Sequence, residues 1–233
     1  MRALIALLLC TLSAVAHADT WPLRIEAKYD ILKQGIKLAE VNEVFERTDD
    51  HYKITSITRP VGLLALFQPE TIVITSEGEI SEQGMIPHHF THRRTRDTSK
   101  DSIADFDWQH NELTLSNQSG IRQLALPPHT QDRLSVMYQF IIVPPHGRLE
   151  VDFHMTNGHK LEPYHYQLNP SQTVEVPFGK MRSYYLYTLP QKTAWKSELW
   201  LAIDHGYMPC KVVVTEDDGS QLVQELRTLN MVP

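Results

Sequence analysis

The chain has 233 residues, 42% of them hydrophobic and 21% charged, with a formal net charge of −6 at pH 7. That is enough apolar material for one substantial domain. An acidic chain is a poor match for nucleic acid, so nucleic acid is not an expected partner.

Residues 1–18 read as a secretory leader. Arg2 supplies the positive start, residues 3–15 form an almost unbroken apolar run, and Ala16-His17-Ala18 has the small-x-small form of a cleavage site. The mature protein is expected to begin at Asp19 and to work in the periplasm. The run is shorter than the roughly 20 residues a membrane helix needs. No later stretch approaches that length without charges, so no stable membrane anchor is expected. Cys10 lies inside the run, after leucines, which does not fit a lipidation site; cleavage removes it. Cys210 is then the one remaining cysteine, so no internal disulfide is expected in an oxidising compartment. Its place at the head of the apolar run 208–214 predicts a buried small hydrophobe.

Period-two alternation dominates the rest. Residues 24–31 and 148–155 alternate polar and apolar at every step, as in strands with one wet and one buried face. Less regular runs fall at 36–46, 51–58, 70–77, 112–115, 121–126, 160–167, 181–188, 194–203, 211–216 and 221–228. Asn157-Gly158, Ser119-Gly120 and Asp218-Gly219 carry turn chemistry between runs, and residues 108–112 read as another turn. Most prolines, Pro87 and Pro170 among them, are expected to lie between strands. Basic residues 92–96 followed by Asp97, Asp101, Asp105 and Asp107 predict a self-neutralising strand edge. Residues 62–67 read as a short apolar turn or lip. In residues 131–143 the period changes: Leu134, Met137, Tyr138 and Ile141 share a helical face. Thr130 is expected to cap this helix, Asp132 to favour its positive end, and Pro144-Pro145 to stop it. The fold class expected is mainly β, a strongly curved antiparallel sheet or barrel with one packed helix at about 131–143.

Chemistry-bearing motifs are weak. His88, Phe90 and His92 would share one strand face and His154 and His159 could meet across a hairpin, but neither group has the spacing of a zinc site. Ser135 lies in a helical stretch rather than a nucleophile elbow. No metal, no cofactor and no catalytic residue is expected. Tyr164 with Tyr166, Tyr185 with Tyr187, and Trp108, Trp195 and Trp200 would furnish core or line an apolar cavity inside a curved sheet. The sequence leaves a filled and a hollow interior equally open.

Five segments, taken in order, resemble a known family: residues 87–90 (PHHF), 105–108 (DFDW), 131–138 (QDRLSVMY), 177–179 (PFG) and 199–202 (LWLA), the last followed by Met208-Pro209 and the Asp218-Gly219 turn. The set resembles the bacterial exported family known as domain of unknown function 3108, over roughly residues 25–229. The resemblance implies a periplasmic, mostly β protein and brings no established activity. Cys210 stands where that family usually has a longer apolar residue, which implies a structural position. Among the recurring residues, Trp108 would end a strand, Asp132 would stabilise a helix start and Trp200 would sit in a core strand. With Tyr138, these are also the candidate ligand-binding residues. The leading functional expectation is a non-enzymatic periplasmic protein that binds a lipid-like ligand or envelope component. The alternatives are a cell-envelope hydrolase using carboxylates or His in a cleft, and a scaffolding module. The sequence leaves the oligomeric state open.

Overall fold

The computed structural model describes residues 21–189 and 196–233, so the leader and Trp195 lie outside the described residues. The fold is one sheet of fifteen strands. The first eight are β1 (Arg24–Lys33), β2 (Ile36–Thr48), β3 (His51–Pro60), β4 (Ile72–Ser81), β5 (Gly84–Arg94), β6 (Ser102–Asp107), β7 (Glu112–Asn117) and β8 (Gly120–Ala125). The remainder are β9 (Gln131–Asp132), β10 (Glu150–Thr156), β11 (Leu161–Val176), β12 (Gly179–Thr188), β13 (Lys196–Ala202), β14 (Met208–Thr215) and β15 (Gln221–Val232). Each of β1 to β8, and of β10 to β15, pairs antiparallel with its sequence neighbour, and β1 pairs with β15. The edges left over are β8 and β9.

Alternation is what curls this sheet around a core. In β1 the inward residues Ile25, Ala27 and Tyr29 are fully buried while their neighbours face water. The two ends of the sheet meet where the β10–β11 turn lies on β6 to β8. Ser102 Oγ donates to Asn157 O at 3.1 Å, Asn117 Nδ2 to Gly158 O at 3.4 Å, and Arg122 to His159 O. The seam is therefore closed by side chains on a turn's carbonyls, not by a ladder. Gly158, at φ +82°, is needed there: a methyl would stand 2.8 Å from Ser102 Cβ and closer still to its Oγ.

Bulges place the prolines. Pro87 lies inside β5 at a register shift opposite Glu77 and Gly78, and Pro170 inside β11 between Asn169 and Gln172. The expectation that both lie between strands is thus corrected: a bulge leaves the missing N–H without a ladder partner to lose. The same shift in β5 turns His88 out, exposed, so it does not share a face with the buried Phe90.

Two α-helices occur among the described residues. The apolar lip is α1 (Gly62–Phe67), with Leu63, Leu66 and Phe67 exposed at 73%, 76% and 79%. The predicted helix is α2 (Ser135–Ile142), shorter than expected because Gln131 and Asp132 pair instead as a parallel strand with Met155 and Thr156 of β10. Thr130 does not cap it; its hydroxyl donates to Pro127 O at 2.8 Å. Asp132 does that work, its Oδ1 accepting the N–H of Leu134 at 2.8 Å and of Ser135 at 2.9 Å. No helix among the described residues is long and apolar enough to cross a membrane.

Helix α2 lies inside the curl and is buried on most sides, with Val136, Tyr138, Phe140 and Ile142 all enclosed. Side chains hold it to β5. Gln139 Oε1 accepts the Met85 N–H at 2.6 Å, and Gln131 Nε2 donates to Met85 O at 2.8 Å. Pairing of β5 with β6 covers only His89 to His92, so the two glutamines satisfy backbone groups that no strand reaches.

Candidate functional site

Helix α2 divides the interior. Towards the loops at residues 49–50, 82–83 and 203–207, side chains fill the space: Phe45, Tyr52, Ile80, Met85, Met181, Met208 and Cys210 are buried in one cluster. Cys210 is fully enclosed, its Sγ donating to Trp200 O at 3.3 Å, and burial pushes its thiol up to about 12. Towards the other end the sheet is hollow. A cavity of about 420 Å³ lies there, and α2 gives it Leu134, Val136, Met137 and Phe140. The aliphatic wall runs over Ile31, Val41, Ile72, Ile74, Leu186, Leu199, Val212, Val214 and Leu222. Phe153, Tyr164 and Tyr166 stack in series on β10 and β11, 5.7 to 6.4 Å between ring centres, and also face the cavity. Leu222 and Lys160 line the cavity and are exposed, which sets its mouth at the end that carries α1.

Polar groups gather on the seam side, from β5, the residue after β9, the β10–β11 turn and the start of β11. They are His92, Arg94, Arg133, Asn157, Lys160 and Glu162. Arg94 pairs with Glu70 at 2.9 Å and Lys160 with Glu162 at 2.7 Å. His92 is held down to about 4 by burial first, then by Arg133 and Arg94, so it is neutral at pH 7. Arg133 is fixed at its backbone, N–H to Thr156 O at 3.1 Å. Its surface is accessible although it sits deep in the fold, because what it faces is the cavity rather than bulk water. Burial accordingly lowers its pKa, against the pull of Glu43, Asp132 and Tyr164.

Opposite lies a buried network. Glu43 accepts from Ser56 Oγ at 3.1 Å and from the Tyr138 hydroxyl at 3.2 Å. Burial raises its pKa, more than these two hydrogen bonds and Arg133 lower it. Asp132 Oδ2 accepts from Ser76 Oγ at 2.5 Å, and Ser76 Oγ lies 3.1 Å from the Tyr52 hydroxyl.

None of the four candidate residues lines the large cavity. Asp132 and Tyr138 support it from behind: Asp132 starts α2, and Tyr138 stacks on Phe45 at 5.3 Å while bonding Glu43. Trp108 lies at the far end, its Nε1 donating to Pro87 O at 2.8 Å, beside a smaller cavity of about 230 Å³. Trp200 contacts Tyr185 at 4.7 Å and carries Lys211 over its ring at 5.8 Å. Two residues that do face the cavity, Arg133 and Glu43, carry a faint sequence signal. Arg133 is a cation at the start of an apolar helix, and Glu43 falls on the inward side of β2, between Val41 and Phe45. His154 and His159 do not face each other across the β10–β11 hairpin: His154 pairs with Pro163, and His159 lies in the turn beyond the last pair, Thr156 with Leu161. Among the described residues no group of three His, Cys, Asp or Glu is placed to hold a metal ion.

A family model described as "Protein of unknown function (DUF3108)" matches residues 24–227. No curated protein matches the chain. Among solved structures the chain is similar to a "Beta-barrel-like Protein of Domain of Unknown Function DUF1849 from Brucella abortus". The identity is 12%, the TM-score 0.63, and the alignment covers 91% of this chain and 99% of that one. At that identity the likeness is one of fold. The chain belongs to the DUF3108 family.

Proposed function

We infer that this member of the DUF3108 family is a periplasmic binding protein for an apolar ligand, carried in the hollow half of its curled sheet. The observation behind this reading is the cavity. Its volume of about 420 Å³ falls within the range of small-molecule sites, and aliphatic and aromatic side chains form most of its wall. A sheet that needed only a core could have filled this half as it fills the other. Exposed Leu63, Leu66 and Phe67 of α1 stand at the same end as the mouth, as an entry for an apolar guest would require. The leader expected over residues 1–18 supports export, with Asp19 as the first mature residue.

A hydrolase has less support. Among the described residues His92 is the histidine that lines the cavity, and it bonds no serine, threonine or carboxylate.

Native mass spectrometry of the exported protein, with lipid extraction, tests the reading. A bound mass that the solvent extract identifies as an apolar compound is expected, lost when Leu199→Trp fills the cavity. Protein at its bare mass, with Leu199→Trp binding added lipid as the parent does, would end the proposal. N-terminal sequencing should give Asp19; a retained leader would contradict export with cleavage.

A further inference from the structure

Among the described residues, one cation that lines the cavity has no ion pair. Arg94 and Lys160 each have a carboxylate partner within 3 Å. His92 is neutral, and Glu43 is hydrogen-bonded by Ser56 and Tyr138. Asp132, next to Arg133 in sequence, spends its oxygens on two backbone N–H groups and Ser76. Among the described residues the Arg133 guanidinium has neither an ion pair nor a side-chain hydrogen bond. It faces an apolar chamber with its donors unused.

We propose that the ligand's polar end is an anion, a carboxylate or a phosphate, gripped by the Arg133 guanidinium with the apolar tail lying against Leu199, Val212 and Leu222. This rests on the cavity reading above and adds the headgroup to it. Arg133 is accessible from the cavity, and an arriving anion would meet its free donors beside apolar walls, where a charge-assisted hydrogen bond is stronger than in open water. Arginine suits such a ligand, because its planar fork matches the two oxygens of a carboxylate or phosphate and it keeps its charge when enclosed. Its aim is set in advance, since β9 pairing and the Asp132 bonds fix the backbone on either side of it. Glu43 faces the same space and Asp132 lies beside Arg133 in sequence; an ionised carboxylate at either would oppose an anion, and burial raises the pKa of both. Glu162 is neutralised by Lys160.

Calorimetric titration of the delipidated protein with palmitate, hexadecyl phosphate and hexadecanol tests this. We expect both anions to bind at least roughly tenfold more tightly than the alcohol, the scale of a charge-assisted pair. The tighter of the two identifies the headgroup. Arg133→Met and Arg133→Gln should erase that preference, weakening the anions far more than hexadecanol, and Arg133→Lys should restore part of it. Equal affinity of the parent for alcohol and anions, or a preference that survives in both neutral variants, would overturn the anion assignment alone. Failure of all three probes to bind would overturn the cavity reading with it. Should the variants not fold, the parent's ranking of the three probes still decides.

Discussion

Replacing Asp132 with alanine should be among the most damaging single changes available in this fold. The carboxylate is fully buried and accepts from the N–H of Leu134, the N–H of Ser135 and the Ser76 hydroxyl. Loss of a helix-start acceptor costs about 0.5–2 kcal/mol, and each donor left unsatisfied in the interior about 1–3 kcal/mol. These overlap, and removing a buried carboxylate returns part of its desolvation cost. The net expected is about 3–5 kcal/mol. For a domain of this size that is a fall in Tm of roughly 6–20 °C. Asparagine is the informative control. Its oxygen still serves Leu134 and Ser135, and its NH2 can donate to Ser76, whose proton then turns to the Tyr52 hydroxyl 3.1 Å away. Asp132→Asn should therefore cost only about 1 kcal/mol. Urea unfolding followed by tryptophan fluorescence would measure both. Alanine and asparagine variants of equal stability would refute the claim that this side chain anchors α2 and, through it, the cavity floor.

Glu43→Gln should be at least as stable as the parent at pH 7.5, because burial raises the pKa of Glu43 in the folded state. With a raised folded pKa, the carboxyl's contribution is full below the unfolded value and is lost as pH rises through the folded one. The parent should thus gain on the variant as pH is lowered towards 5, and a gap that widens in the opposite direction would contradict this. Gly158→Ala should cost about 2–4 kcal/mol, from a positive φ and collision with Ser102. Hydrogen exchange should then quicken on both sides of the seam, and unchanged exchange there would show that the seam does not depend on this glycine. Cys210 should resist a thiol reagent in the native protein and react fully in denaturant, as an enclosed thiol pushed up to about 12 must; rapid native labelling would place it elsewhere.

The sequence makes the walls of this structure readable but not its interior. Alternation in 24–31 sets β1 and its buried face, because a period of two leaves a half-wet strand little choice. The helical face of 131–143 is legible too, but its start is not. Gln131 and Asp132 are taken by a parallel pairing with β10, a contact made across more than twenty residues that local pattern does not carry. Bulges at Pro87 and Pro170 are hidden for the same reason: a proline reads as a strand end unless the partner strand is known. The cavity itself is the least visible. Leu199 and Leu201 are both inward apolar residues, one facing open space and the other packed. Which is which depends on where α2 stops filling the curl. Arg133 is inconspicuous in the sequence because its meaning comes from partners it lacks, and those are spatial.

A crystal structure of the protein with a terminally brominated long-chain fatty acid tests the account most directly. It should show one bromine in the hollow half of the sheet, against Leu199, Val212 or Leu222, with the carboxylate at Arg133. Bromine found on the outer surface, or a cavity closed by side chains with no ligand inside, would contradict it.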